Sequence, residues 1–216
     1  MEVAIAGGHG KVALHLSGLL TARGERVKGI IRNPDHAAEV AAAGAEPVVL
    51  DLEDTTVARL ADAIRGADAV VFSAGAGSGS GAERKWTIDY GGAIGLIEAA
   101  RLGSVERYLM VSAMGATNPP DGEDVFSIYL QTKAKADQEL MASGLAWTIV
   151  RPGGLTDDPP TGLVNLGPEV PRGSVPRSDV AAVLVAALDE TRTAGHVFEV
   201  TSGDTQIEEA ITRLLS

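Results

Sequence analysis

The sequence contains no cysteine, which excludes disulfides, thiolate nucleophiles and thiolate metal sites together. Aromatic residues are scarce: two Trp, three Tyr and three Phe in 216 residues. Positive charge is in deficit as well, with 18 Lys and Arg against 29 Asp and Glu and a net charge of −11. That balance lacks the basic footprint that nucleic acid or an anionic membrane surface requires. No apolar run approaches the roughly 18 residues needed to cross a bilayer, and the first residues read as a strand rather than a signal peptide. The expectation is a cytoplasmic protein with neither a nucleic-acid nor a membrane partner. The four histidines show no metal-ligand spacing with carboxylates, so no metal site is expected. At roughly 150 residues per domain, the chain is expected to form a single domain. What it has in abundance is glycine, 26 in all, and the placement of these glycines is informative.

Short β-branched runs alternate with longer alanine-rich stretches along the whole chain. Strands are expected at Val3–Ala6, Val27–Ile31, Pro47–Leu50, Ala69–Phe72, Arg107–Val111, Trp147–Val150 and Val197–Val200. Helices are expected near 11–22, 35–43, 55–65, 84–102, 129–143, 178–189 and 205–215. Such alternation builds βαβ crossovers and a Rossmann-like α/β fold, a doubly wound parallel sheet with helices on both faces. Two stretches break the pattern. Ser73–Ala82 is a glycine-serine loop, and 152–177 is proline-rich and reads as an irregular substrate flap. Each follows the carboxyl end of a strand, the edge where open α/β sheets bind ligands.

The first strand runs into Gly7-Gly8-His9-Gly10-Lys11-Val12-Ala13, a glycine turn opening a helix. Gly7 permits a tight turn, Gly10 permits close approach of a pyrophosphate, and Ala13 lets the helix pack on the strand. The helix N-terminus then offers unpaired N–H groups and a positive dipole. Gly7, Gly8, His9, Gly10, Lys11 and Val12 are therefore candidate dinucleotide contacts; a packing turn in a non-nucleotide protein is the alternative. The second strand ends at Arg32 rather than at the acidic residue an NAD ribose prefers. An arginine there suits a 2′-phosphate, favouring NADP over NAD, unless it is merely a solvated residue before a helix. Asp51 and Leu52 after the third strand would lie beside the adenine. Ser73, Ala74 and Gly75 after the fourth would lie under the second ribose, or each pair of ends is an ordinary capped turn.

Tyr129 and Lys133 stand four apart in a helical pattern, which places them on one face. A phenol with pKa near 10 is a poor catalyst at neutral pH, and a neighbouring ammonium lowers that value. Tyr129 is thus the candidate acid/base, with Lys133 its modulator and a ribose ligand; a packed tyrosine beside a solvated lysine is the alternative. Glu123-Asp124 and Asp157-Asp158 read as solvated loop charges that disfavour an anionic substrate.

These features, with Asp89-Tyr90-Gly91-Gly92-Ala93, Val111-Ser112-Ala113, Arg151 to Thr156 and Arg177-Ser178-Asp179-Val180-Ala181, occur in a fixed order across nearly the whole chain. The sequence resembles the small NAD(P)H-binding, NmrA-like group of atypical short-chain dehydrogenase/reductases. The resemblance implies a dinucleotide across the strand ends and a substrate pocket roofed by the segment after Pro152. It further implies that Pro152, Gly153 and Gly154, with the stretch to Thr156, border the nicotinamide and phosphate side. It also implies a hydroxyl donor just after the fifth strand. Ser112 is the only hydroxyl there, one or two positions early, and it completes the catalytic set only if it faces the cleft. The expected function is an NADP-dependent oxidoreductase acting on a small carbonyl or alcohol, in a chain able to form a homodimer through helices 84–102 and 129–143. A non-catalytic NADP(H) sensor or scaffold is the alternative from another class; an epimerase or flavin-type reductase is a further one.

Overall fold

The computed structural model describes residues 1–77 and 79–216; Ser78, within the expected glycine-serine loop, lies outside the described residues. The seven strands expected from sequence form one continuous parallel run. In chain order they are β1 (Glu2–Ala6), β2 (Arg26–Ile31), β3 (Glu46–Val49), β4 (Ala69–Phe72), β5 (Arg107–Val111), β6 (Ala146–Pro152) and β10 (His196–Ser202). Their spatial order is β3-β2-β1-β4-β5-β6-β10. The order reverses between β1 and β4, and the crevice outside the carboxyl ends at that reversal is where such sheets bind dinucleotides.

Alternation along each strand supplies both faces of the sheet. Val3, Ile5, Val71 and Leu109 pack against α1 (Lys11–Ala22), α7 (Arg177–Asp189) and α8 (Ile207–Leu214). Ala4, Ala6, Val70, Phe72, Tyr108 and Met110 pack on the other side against α3 (Val57–Ala63), α5 (Ala93–Leu102) and α6 (Val125–Met141). Strands buried on both faces carry no polar side, which is why the sequence shows them as continuous apolar runs. The short α2 (Ala37–Ala42) covers β2 through Val40.

Three departures from the sequence reading bear on the site. The 152–177 stretch is not wholly irregular. It holds β7 (Gly154–Thr156) and β9 (Ser174–Pro176), paired with each other, and β8 (Leu163–Gly167). β8 runs antiparallel to β10 and, with β11 (Thr205–Gln206), extends the main sheet. Prolines on either side of these short strands mask their pattern. Next, α6 starts one turn before Tyr129, because the Asp124 carboxylate accepts from the Phe126 and Ser127 amides, each at 3.0 Å. The solvent-exposed Val125 and Phe126 hide this first turn from an amphipathic reading. Finally, the 84–102 helix is not uniform: α4 (Ala82–Arg84) passes into a π-helical segment, Lys85–Gly92, before α5 begins. Wide turns of this kind recur at functional sites, since they re-aim side chains that an α-helix would place elsewhere. Among the described residues no helix is long and apolar enough to cross a membrane.

Candidate functional site

Gly7, at φ +82°, needs glycine twice over: the backbone is left-handed, and a Cβ would lie 2.6 Å from the Ala74 Cα. Gly8 is required by packing, since a Cβ there would meet Gly29 at 2.6 Å. The amides of both donate to the Ile30 carbonyl, and that of Gly10 donates to the Gly7 carbonyl at 2.8 Å. These three glycines therefore shape the turn, and their own N–H groups are spent within it. The amides of Lys11, Val12 and Ala13, at the start of α1, find no partner among the described residues. α1 also has no side-chain cap and no acidic residue in its first turn. An uncapped helix end bearing free donors and a positive dipole is a built anion site. Gly10 faces outward there, and a Cβ would intrude on the space between the Gly7 and Ser73 carbonyls, at 3.1 and 3.6 Å.

Two cavities meet over this turn and share Gly10, Ser73, Ala74 and Gly75. The first, about 300 Å³, is walled by Ile30, Ile31, Leu50, Leu52 and Ile88 and ends in Arg32, Asn33, His36 and Arg84. The apolar walls suit a flat base and the cationic end suits a phosphate. Arg32 and Arg84 both reach the Glu53 carboxylate, at 3.3 and 2.8 Å, so one acid holds two guanidinium groups at the cavity end. That second arginine holds Glu53 below the ordinary carboxylate range against the opposing pull of burial. His9 stacks on His36 with centroids 3.6 Å apart and contacts Glu39 at 3.0 Å. Asp51 also borders this cavity, but its carboxylate accepts the Glu53 amide. Leu52 packs over Gly92.

The second cavity, about 540 Å³, holds Val12, Lys85, Asp89, Ser112, Tyr129 and Lys133. Two i,i+4 pairs face each other across it, Lys85 with Asp89 from the π-helical segment and Tyr129 with Lys133 from α6. Lys133 is buried; its ammonium donates to the Val111 carbonyl at 3.1 Å and lies 3.4 Å from Asp89 Oδ1. The other Asp89 oxygen accepts the Ala76 amide, while Oδ1 is buried without a hydrogen bond of good geometry. An orphaned carboxylate oxygen beside an ammonium, on the wall of a cavity, is the environment that a sugar hydroxyl satisfies. Lys85 is buried too, donating to the Gly77 carbonyl at 2.9 Å, with its ammonium 5.4 Å from the centre of the Tyr129 ring. Lys133 lies 5.9 Å from the same ring. The Tyr129 hydroxyl has no hydrogen-bond partner among the described residues, although the side chain is largely enclosed. Burial pushes its phenol above the ordinary value; Lys133 pulls it down, and Asp89 and Asp137 push it further up. The expected depression by Lys133 is present but is outweighed by desolvation.

Ser112 lines the second cavity, but its hydroxyl proton is spent: it donates to buried Asp137 at 2.8 Å, and Asp137 also accepts from Arg151. Burial raises the Asp137 carboxyl, with Arg151 opposing that shift. Pro152, Gly153 and Gly154 do not line the two strand-end cavities. They border a third, of about 720 Å³, beyond Tyr129. Gly153 is glycine because a Cβ would collide with the Gly173 carbonyl oxygen of the flap. The acidic pairs are solvent-exposed, as expected; within them Asp124 also caps α6, and Asp157 also bonds Lys11 and Arg177. Trp86 packs edge-on to Tyr90, under Lys135, and lines neither strand-end cavity. Arg84 and Lys85 escaped the sequence reading. Neighbours in the chain, they serve different cavities, and no periodic pattern signals that.

Residues 7–191 match the family model described as NAD(P)H-binding. A Bacillus subtilis protein named uncharacterized sugar epimerase YhfK is 37% identical, with the match covering 99% of this chain and all of that one. A Bacillus halodurans structure, assigned by name alone to the NAD-dependent epimerase/dehydratases, superposes with a TM-score of 0.92 at 37% identity, covering 99% of this chain and all of that one. The Lactococcus lactis oxidoreductase ylbE superposes at 0.88 with 28% identity, over all of this chain and 97% of its own. Over most of its length, and with a relative 37% identical across the full length of both proteins, the chain belongs to the NAD(P)H-binding family.

Proposed function

We propose that this chain is an NADP-dependent oxidoreductase of short-chain dehydrogenase/reductase type that reduces a carbonyl group to an alcohol. The observation that carries the reading is the unpartnered Tyr129 hydroxyl on the wall of a cavity continuous with the anion-binding turn. The amides of Lys11 and Val12 would hold the pyrophosphate, Arg32 and Arg84 the 2′-phosphate, and Asp89 with Lys133 the ribose hydroxyls of the nicotinamide half. When bound, the nicotinamide supplies a hydride to the carbonyl carbon. Tyr129 gives its proton to the carbonyl oxygen, and burial keeps the phenol charged with that proton at neutral pH. Lys133 then stabilises the phenolate. With the Ser112 hydroxyl turned to Asp137, the second donor to the substrate oxygen is Lys85, two of whose N–H groups are not used by Gly77.

Specific binding raises thermal stability by mass action. The reading expects NADPH to raise the unfolding temperature more than NADH does, and the chain to oxidise NADPH in the presence of aldehydes. Equal shifts overturn the NADP assignment; no oxidation over a broad aldehyde and ketone panel overturns the oxidoreductase. A second reading, epimerisation, is favoured by the names of two relatives, one of which specifies a sugar. The same Tyr129–Lys133 pair serves it, and net oxidation of added NADPH separates the two, since an epimerase consumes none.

A further inference from the structure

The third cavity extends outward from Tyr129, sharing Ser112, Phe126, Tyr129, Leu155 and Arg177 with the inner one. Its body is apolar, formed by Met114, Leu130, Phe126 and Leu155, and the last two are exposed at its mouth with nothing covering them. In a chain of net charge −11, the only charged residues on this wall are two arginines, Arg172 and Arg177. Arg177 is neutralised by Asp157 at 2.7 Å. Arg172 has no carboxylate within ion-pair distance among the described residues. The backbone that follows it is held in place. Gly154 donates to the Gly173 carbonyl at 2.9 Å, β7 pairs with β9 from Ser174 onward, and the missing Cβ of Gly153 lets the two backbones touch. The flap backbone therefore places the exposed Arg172 on the wall of the cavity that Tyr129 also lines, with the apolar floor between them.

We propose, resting on the oxidoreductase reading above, that the substrate is an apolar carbonyl compound carrying a carboxylate, with the carbonyl at Tyr129 and the carboxylate on Arg172. A guanidinium with no internal partner binds a carboxylate by charge-assisted, bidentate hydrogen bonds. The apolar floor takes the body of the molecule out of water. The acidic loops do not oppose this, since Asp124 and Asp157 are engaged elsewhere.

The test uses 4-formylbenzoate and its methyl ester, which differ in the charge and in one methyl group. Binding to the full chain is measured by calorimetry or ligand-observed NMR, separately from NADPH oxidation. The acid binds at least tenfold more tightly than the ester, and Arg172→Gln abolishes that preference by weakening the acid alone. Arg59→Gln, which removes an equal charge outside all three cavities, leaves the preference intact. Equal binding of acid and ester, or an Arg172→Gln variant that weakens both alike, overturns the proposal. A retained preference for the acid with no NADPH oxidation overturns the oxidoreductase reading and leaves the carboxylate site standing. Oxidation that runs as fast on the ester as on the acid overturns the carboxylate site alone.

Discussion

Ser112 Oγ donates a 2.8 Å hydrogen bond to Oδ2 of Asp137, one helical turn beyond Lys133 on the buried face of α6. The serine that sequence order offers as a substrate ligand thereby has its proton engaged by α6. Ser112→Ala leaves one buried acceptor short of a donor and is expected to lower stability by about 1–2 kcal/mol. NADPH oxidation should change less than about threefold, because the hydroxyl does not meet the substrate oxygen. Urea unfolding and steady-state rates on the same preparation check both halves. A loss of about a hundredfold in rate at unchanged stability would return Ser112 to the catalytic set.

Asp137 and Arg151 form a buried ion pair beneath the site, with the Arg151 Nε and Nη2 groups 2.9 and 2.8 Å from one carboxylate oxygen. Removing one partner strands the other charge in a poorly solvated place, so Asp137→Ala should cost about 3–5 kcal/mol. Replacing both, Asp137→Leu with Arg151→Met, should recover much of that loss. The comparison is between denaturation midpoints of the two variants. A double variant no more stable than the single one would show that the pair itself, rather than its uncompensated remnant, supplies the stability.

Tyr129 is expected to act as an acid. Its phenol is held above the ordinary value of about 10, so it stays protonated through the neutral range and ionises only at alkaline pH. The rate of carbonyl reduction should therefore be flat across neutral pH and fall as the phenol loses its proton. Tyr129→Phe should reduce the rate about 10²–10⁴-fold and remove that alkaline limb, while NADPH affinity stays within about threefold. A pH profile of the reduction rate for both proteins decides. Loss of cofactor binding in the phenylalanine variant would place the hydroxyl on the ribose instead.

Lys85 is a buried ammonium whose only hydrogen bond among the described residues is to the Gly77 carbonyl. As a donor to the developing alkoxide it should contribute about 10²–10³ in rate, the usual effect of one such group. Lys85→Met preserves the length and apolar stem, so folding should hold while the rate drops. Lys85→Arg should restore part of it. An unchanged rate in Lys85→Met would leave Tyr129 as the sole donor.

The parallel sheet was legible because a strand covered on both faces has no polar residues to interrupt it, and β1, β4 and β5 are of this kind. The anion-binding turn was legible because a positive φ at Gly7 leaves a glycine in the sequence. The free donors at the start of the following helix were legible with it, whereas the spending of the glycine amides within the turn, on Ile30 and Gly7, was not. That Pro152, Gly153 and Gly154 line the third cavity was not legible either. Gly153 makes room for the flap backbone, and a glycine that admits a cofactor looks the same in sequence as one that admits another strand. Arg84, Lys85 and Asp89 lie in a segment whose hydrogen bonds switch from α to π spacing, so the faces they occupy do not follow from 3.6-residue periodicity. β8 was hidden because a short strand between prolines has no room for a period to develop.

Arg32 and Arg84 approach one cavity end from different elements, the close of β2 and the start of the helical stretch after β4, and Glu53 holds both. Neither side chain is deeply buried, so Glu53 contributes orientation more than energy. A 2′-phosphate arriving between them would meet two guanidinium groups already aimed at it, each charge-assisted contact worth about 1.5–3 kcal/mol. Arg32→Ala and Arg84→Ala should then each weaken NADPH roughly 10–100-fold, while NADH, which lacks the phosphate, changes less than about threefold. Glu53→Gln tests the orienting role separately, since it leaves both positive charges in place but loosens their geometry. NADPH should weaken by a smaller factor in that variant than in either arginine variant, again with NADH unmoved. Fluorescence titration of both cofactors against the four proteins gives the comparison. If NADH falls in step with NADPH in the arginine variants, the two side chains support the adenosine cavity as a whole, and NADP preference must be sought elsewhere.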